Sequence, residues 1–238
     1  MGRIHFIGGE KGGVGKSWTA RLLAQYFIDS EKAFIGFDSD QSHGTFSRFY
    51  SEFTSPLKVE EYYSLDRIVE AAEENPNSDI IVDLAAQTST RLGQWIDESD
   101  IFGLLSDMGY EVFLWHVMDD GADSIQLLDK LLDRYSAQAL QFIVVRNKGR
   151  GDNFDHFEQS PTYLKAQARN AQLLTLSKLQ SQLTKKIDFS DLSFWAAANN
   201  REAATTAERQ RMKVWLKGSY DQFDRFLKTE NENLAEFA

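Results

Sequence analysis

Glu10-Lys11-Gly12-Gly13-Val14-Gly15-Lys16-Ser17 separates two different hydrophobic periodicities. Before it, Ile4 to Ile7 is a short apolar run that reads as a buried strand. After it, Ala20, Leu23, Ala24 and Phe27 recur at helical spacing within Trp18 to Phe27. A strand, a glycine-rich loop and a helix in that order make a cradle for phosphate. Backbone N–H groups of the loop point inward, and the helix N-terminus adds partial positive charge. Gly12, Gly13 and Gly15 permit backbone angles and close approaches that a Cβ would block. Lys16 is placed to reach the β- and γ-phosphates of a nucleotide, and the Ser17 hydroxyl to bind Mg²⁺.

The loop departs from the common phosphate-binding pattern G-x-x-x-x-G-K-[ST]. Counting back from Gly15, the first glycine falls on Glu10. A second lysine, Lys11, stands directly before the paired glycines. This K-G-G-x-G-K-[ST] arrangement resembles the deviant Walker A motif of the ParA/MinD family of ATPases. The resemblance implies that Lys11 reaches across a dimer interface to the partner's nucleotide. Trp18 is unusual at its position, where a small hydroxyl residue commonly follows. It belongs to the first turn beside the nucleotide and also has the bulk to pack there.

Along the chain, strand and helix patterns alternate. Strands are expected at Ala33 to Phe37, Asp79 to Leu84, Glu111 to Met118 and Leu140 to Val145. Leu173 to Leu179 reads as a last strand or a leucine-rich loop edge. Helices are expected at Asp66 to Glu74, Arg91 to Leu105, Ser124 to Tyr135 and Glu208 to Leu227, and the last third is mostly helical. Continuous apolar strands separated by helices imply an α/β fold, a mostly parallel sheet covered on both faces. At 238 residues without a clear internal boundary, one domain is expected.

Composition excludes several chemistries. The absence of cysteine rules out disulfides, thiolate zinc sites and a cysteine nucleophile, and fits a cytoplasmic setting. His5, His43, His116 and His156 are scattered, which argues against a zinc hydrolase. No apolar run approaches the roughly 18 residues of a membrane span. The chain enters its first strand at once, which leaves no room for a signal peptide. A formal charge of −10 means that any contact with nucleic acid needs a local basic patch.

Ligands of parallel sheets sit beyond the carboxyl ends of the strands. Asp38 and Asp40 end the second strand, Asp83 ends the third, and Arg146-Asn147 end a later one. Ser17, Asp38 and Asp83 are the candidate metal set, with Asp83 in a Walker B context. Asp40 is the candidate to polarise the attacking water. Here the resemblance extends, because Asp38-x-Asp40 looks like the family's first switch and Asp83 like its second. The chain departs in having Gln41-Ser42 and Leu84-Ala85-Ala86-Gln87 where the family often carries prolines. Asn147 is a candidate reader of the base and Arg146 a candidate to stack on it; the plainer reading of Asn147 is a cap on the strand end. With no N-K-x-D guanine reader in view, ATP is favoured over GTP.

Between Glu208 and Leu227, Arg209, Lys213 and Lys217 repeat every four residues beside an apolar face, with Lys185 and Lys186 as possible additions. Such a stripe suits a phosphate backbone, although a solvated helix face has the same pattern. Residues 229–238 are acidic, which disfavours binding to an anionic membrane. The resemblance implies a small ParA-type ATPase that forms an ATP-bound homodimer and binds non-specific DNA on the nucleoid. It would position a plasmid or a protein body such as a carboxysome through a ParB-like or other adaptor. A different reading is a conjugation or mobilisation accessory ATPase that acts on a protein complex without nucleoid binding. The phrase Val144 to Gly151 loosely resembles such plasmid-borne relatives. A third reading is a metabolic ligase of the same superfamily, for which no substrate-carboxylate constellation stands out.

Overall fold

The computed structural model describes residues 2–42 and 44–228. The acidic segment 229–238 lies outside them, as does His43. Seven strands form one sheet: β1 (Arg3–Gly8), β2 (Phe34–Asp38), β3 (Thr54–Pro56), β4 (Asp79–Asp83), β5 (Glu111–Met118), β6 (Gln141–Asn147) and β7 (Gln172–Leu176). Their order is β3-β2-β4-β1-β5-β6-β7, and every pairing is parallel. Parallel strands need long crossovers, so helices are laid over both faces.

Side chains alternate between those faces. Ile7, Ile81, Trp115 and Ile143 point to one side. There they pack under α1 (Lys16–Asp29), α10 (Phe194–Asn199) and α11 (Thr206–Leu227). Phe6, Val82, Leu114 and Val144 point to the other side. Their cover is α3 (Tyr62–Glu74), α4 (Ser89–Glu98), α5 (Ile101–Asp107) and α6 (Ala122–Arg134). Both layers are mainly apolar on their inner surfaces, with His5 and His116 as buried exceptions, which is why these strands read as largely hydrophobic runs.

Two expectations change. The single helix anticipated from Arg91 to Leu105 is two, because the chain turns at Asp100, which has a left-handed φ of 46° and caps the second piece. Helical periodicity continues on either side of that residue and so conceals the break. The leucine-rich stretch near 173 is a strand, β7, which pairs with β6. The short α2 (Thr45–Phe49) and edge strand β3 have too few residues for a period to register. After α6 come α7 (Asp155–Glu158), α8 (Pro161–Ala168) and α9 (Ser181–Phe189). Among the described residues, no helix is long and apolar enough to cross a membrane.

Candidate nucleotide-binding site

The loop leaves β1 at Gly8 and enters α1 at Lys16. Gly15 caps the helix in the left-handed region, with φ 105°, and a Cβ there would run into the Asn147 amide. The Lys16 side chain is 7% exposed and folds over the loop, its ammonium donating to the Lys11 carbonyl at 3.0 Å. Burial lowers its pKa, against the pull of Asp83, Glu10 and Asp40. A buried cation held by one carbonyl is ready for a stronger acceptor.

The sheet register sets two acids beside it. Asp38 and Asp83 are paired neighbours on β2 and β4, and Asp83 is also paired with Ile7, the last residue but one of β1. Asp83 is fully buried, and neither carboxylate oxygen has a hydrogen-bond partner of good geometry. Burial raises its pKa to about 8, although the Ser17 hydroxyl and Lys16 both favour the ionised form. An orphaned carboxylate at this depth is costly unless a cation or its water completes the site.

That orphan is the test for a metal. Ser17 and Asp83 fit Mg²⁺, which takes oxygen ligands and keeps several waters. Among the described residues, no group of three or more His, Cys, Asp or Glu side chains is placed to hold a metal. The ion would therefore depend on nucleotide phosphates as well. Asp38 is differently occupied. Its Oδ2 accepts from the Phe46 and Ser47 backbone N–H groups at 3.0 and 2.8 Å and from the Ser47 hydroxyl at 2.8 Å, while its Oδ1 accepts from Asp40 N–H at 2.9 Å. In this conformation Asp38 anchors the start of α2, in place of the metal contact expected from its position.

No family model matches the chain. In sequence it is similar to Protein TraL of Escherichia coli, 29% identical over 241 residues that take in 94% of this chain and 98% of the relative. It is also similar to Protein MobD of Acidithiobacillus ferrooxidans, 20% identical over 212 residues, 88% of this chain and 92% of the relative. Among solved structures it is similar to the septum site-determining protein MinD of Pyrococcus horikoshii complexed with Mg-ADP. The TM-score is 0.57 at 12% identity, over 97% of this chain and 100% of that one. A putative plasmid partition protein of Borrelia burgdorferi bound to AMPPNP matches with a TM-score of 0.52 at 14% identity, over 94% and 99%. The chain has the fold of the MinD and ParA-type P-loop ATPases.

Within this P-loop fold the second lysine is held on its own chain. The Lys11 ammonium pairs with Asp119 Oδ2 at 2.7 Å, just beyond β5. Donation of a hydrogen bond to Asp119 raises the Lys11 pKa. Burial alone would raise Asp119, but bonds from Lys11, Ser124 and Gly121 outweigh it and hold this acid low. For Lys11 to reach any other partner, this contact must open. Sequence reading missed Asp119; its one signal was a pair of acids at a strand end.

Asn147 does not offer its amide to a base here. Its Nδ2 donates to the Val14 carbonyl at 2.7 Å, and its Oδ1 accepts from Gly149 N–H at 2.9 Å. It thus clamps the P-loop from β6. Arg146 is bound to Glu158 and is not presented as a stacking surface. The space beside the loop is a cavity of about 310 Å³ lined by Gly15, Trp18, Asn147, Gly149, Ser177 and Leu179. Trp18 serves two ends, lining that cavity and packing edge-on against Phe194 and Trp215 at 4.8 and 5.9 Å.

Three further residues join the switches. Ser39 N–H donates to the Asp83 carbonyl at 3.0 Å, and the Ser39 hydroxyl accepts from Ala85 N–H at 2.8 Å. The Glu10 carboxylate accepts from Ser89 N–H at 2.9 Å and ties the P-loop to the start of α4. Asp40 Oδ1 accepts from Ser42 N–H at 2.9 Å, in the turn that leaves β2.

The basic stripe on α11 is diluted. Arg209 donates to the Ala204 carbonyl at 2.6 Å, Lys217 pairs with Asp221 at 2.9 Å, and Lys186 pairs with Glu208 at 3.0 Å. Lys213 is exposed.

The state of Asp83 has a measurable consequence. Its folded pKa lies above the unfolded value, so between about pH 4 and pH 8 the native state binds the extra proton and stability falls as pH rises. Asp83→Asn removes this component. In nucleotide-free protein the variant is expected to melt a few degrees above wild type beyond about pH 8, and to match it near pH 4. Calorimetric melting across that range reads the difference, and parallel curves would refute the assignment.

Proposed function

We propose that this chain binds and hydrolyses ATP with Mg²⁺, and that the bound nucleotide drives two copies together. The observation that carries the proposal is the unpartnered Asp83 carboxylate, buried beside Lys16 and Ser17 at the mouth of the P-loop. The loop N–H groups and Lys16 would hold the phosphates, and Asp40 would orient the attacking water. Ser17 and, through water, Asp83 would hold Mg²⁺, which neutralises charge on the β- and γ-oxygens. Lys11, released from Asp119, would reach the nucleotide of the second copy. The likeness to nucleotide-bound MinD and partition proteins supports ATP and Mg²⁺. Slow turnover raised by a partner fits the missing switch prolines.

On the output, the sequence relatives favour a role as an accessory ATPase in conjugation or mobilisation. We read TraL and MobD as transfer and mobilisation names, and the similarity to both runs almost end to end. The geometry of α11 agrees, since Arg209 and Lys217 are engaged on their own chain. This reverses the order of preference set by the ParA resemblance alone. ParA-like positioning on nucleoid DNA is the second reading, favoured by the exposed Lys213 and the partition-protein likeness. Either assignment places the protein on the cytoplasmic side of the cell.

Binding to non-specific duplex, measured with ATP, with ADP and without nucleotide at two salt concentrations, separates the readings. The first expects no DNA binding in any state while ATP still drives dimerisation by light scattering. Salt-sensitive binding confined to the ATP state would establish the second, and Lys213→Glu would then weaken it.

A further inference from the structure

A second cavity, of about 380 Å³, lies on the opposite face of the sheet from α1. That volume falls at the small end of the range for small-molecule sites, about 300–1,000 Å³. Phe6 and Leu114 form its floor, Leu92 and Ile96 of α4 one wall, and Leu127 and Leu131 of α6 the other. One polar group interrupts this lining deep inside. His116 is 4% exposed, and its Nε2 is bonded to the Ser124 carbonyl at 2.9 Å. A carbonyl only accepts, so Nε2 carries the proton and Nδ1 is left as an acceptor. Nδ1 has no hydrogen-bond partner among the described residues, and the ring lines the cavity. The rim adds charge. Lys130 is exposed there, and Arg134 is held at 2.7 Å by Asp97. The acid in the lining, Glu10, is engaged with Ser89 N–H.

We infer that this cavity is a ligand site for a small amphipathic carboxylic acid, with an apolar body between α4 and α6, a hydroxyl or N–H donating to His116 Nδ1, and its carboxylate beside Lys130. The inner walls around His116 are apolar, so water beside its Nδ1 finds few other partners there. A ligand with one donor would satisfy His116 and displace little well-bound solvent. The same walls belong to the nucleotide machinery. Leu84, Ala85 and Thr88 follow Asp83 directly, and Glu10 opens the P-loop. Occupancy of the cavity would therefore be felt at the switch, and by linkage nucleotide would be felt in the cavity.

The test uses 6-hydroxy-2-naphthoate as probe, titrated by calorimetry into the nucleotide-free full chain, so that failure of the ATPase reading leaves the result interpretable. Saturable binding of one probe per chain is expected. Leu127→Trp, a half-buried position whose larger ring enters the cavity, should weaken it by more than about tenfold. Lys130→Glu, an exposed change that leaves the fold alone, should weaken it about fivefold. 2-Naphthoate, which lacks the donor, should bind less tightly than the hydroxylated probe. Thermal melting of both variants near the wild-type midpoint confirms that they are folded. No saturable binding to wild type, or wild-type affinity in both folded variants, overturns the inference.

Discussion

Lys16→Ala is expected to weaken ATP binding by at least about 100-fold, or about 2.7 kcal/mol, as measured by calorimetry. The ammonium is almost fully buried and spends its one visible contact on the Lys11 carbonyl. Exchange of that neutral acceptor for phosphate oxygens turns a modest hydrogen bond into a charge-assisted one. Alanine removes the contact and leaves anionic phosphate in a pocket that still holds Asp83 and Asp38. The native fold should tolerate the change, since deleting a buried cation removes its desolvation cost. A melting temperature at or above wild type, together with lost binding, is the expected pair of results. Tight ATP binding by the variant would refute the P-loop assignment.

Asp40→Asn is expected to lower ATP hydrolysis by about 100-fold or more while ATP stays bound and the dimer persists. Asparagine keeps an oxygen for Ser42 N–H and so preserves the turn after β2. It removes only the negative charge that would polarise the attacking water. Asp40→Ala should have the same kinetic effect and in addition loosen the turn. Phosphate release measured beside dimer content gives both quantities, and undiminished release from Asp40→Asn would remove this carboxylate from the chemistry.

The phosphate cradle was legible because everything it needs is local. Strand periodicity, three glycines, Lys16, Ser17 and a following helical period lie within one short stretch. The parallel sheet was legible for a related reason: strands buried on both faces are mostly apolar, and these are, apart from His5 and His116. The acids at strand ends could be located, but their states could not. Asp38 and Asp83 occupy equivalent sequence settings and adjacent register positions, yet one is saturated by α2 donors and the other is orphaned. The difference comes from a helix too short to announce itself.

Local pattern thus determined the fold class, the loop chemistry and the candidate acids. Tertiary structure decided the long-range partners that Asn147 and Lys11 take. Asn147 allowed two readings, a base reader or a cap on the strand end; β6 brings it against the loop, where its amide bonds the Val14 carbonyl and Gly149 N–H. Lys11 looked available to a second copy, but the end of β5 sets Asp119 beside it. The stripe on α11 is a different case, because Arg209 bonds the Ala204 carbonyl five residues back and Lys217 pairs with Asp221 four residues on, contacts that helical spacing itself offers. For Asn147 and Lys11 the physical reason is the same. Hydrogen bonds and ion pairs form between groups that register and packing bring within about 3 Å, and that proximity across the sheet leaves no trace in residue spacing.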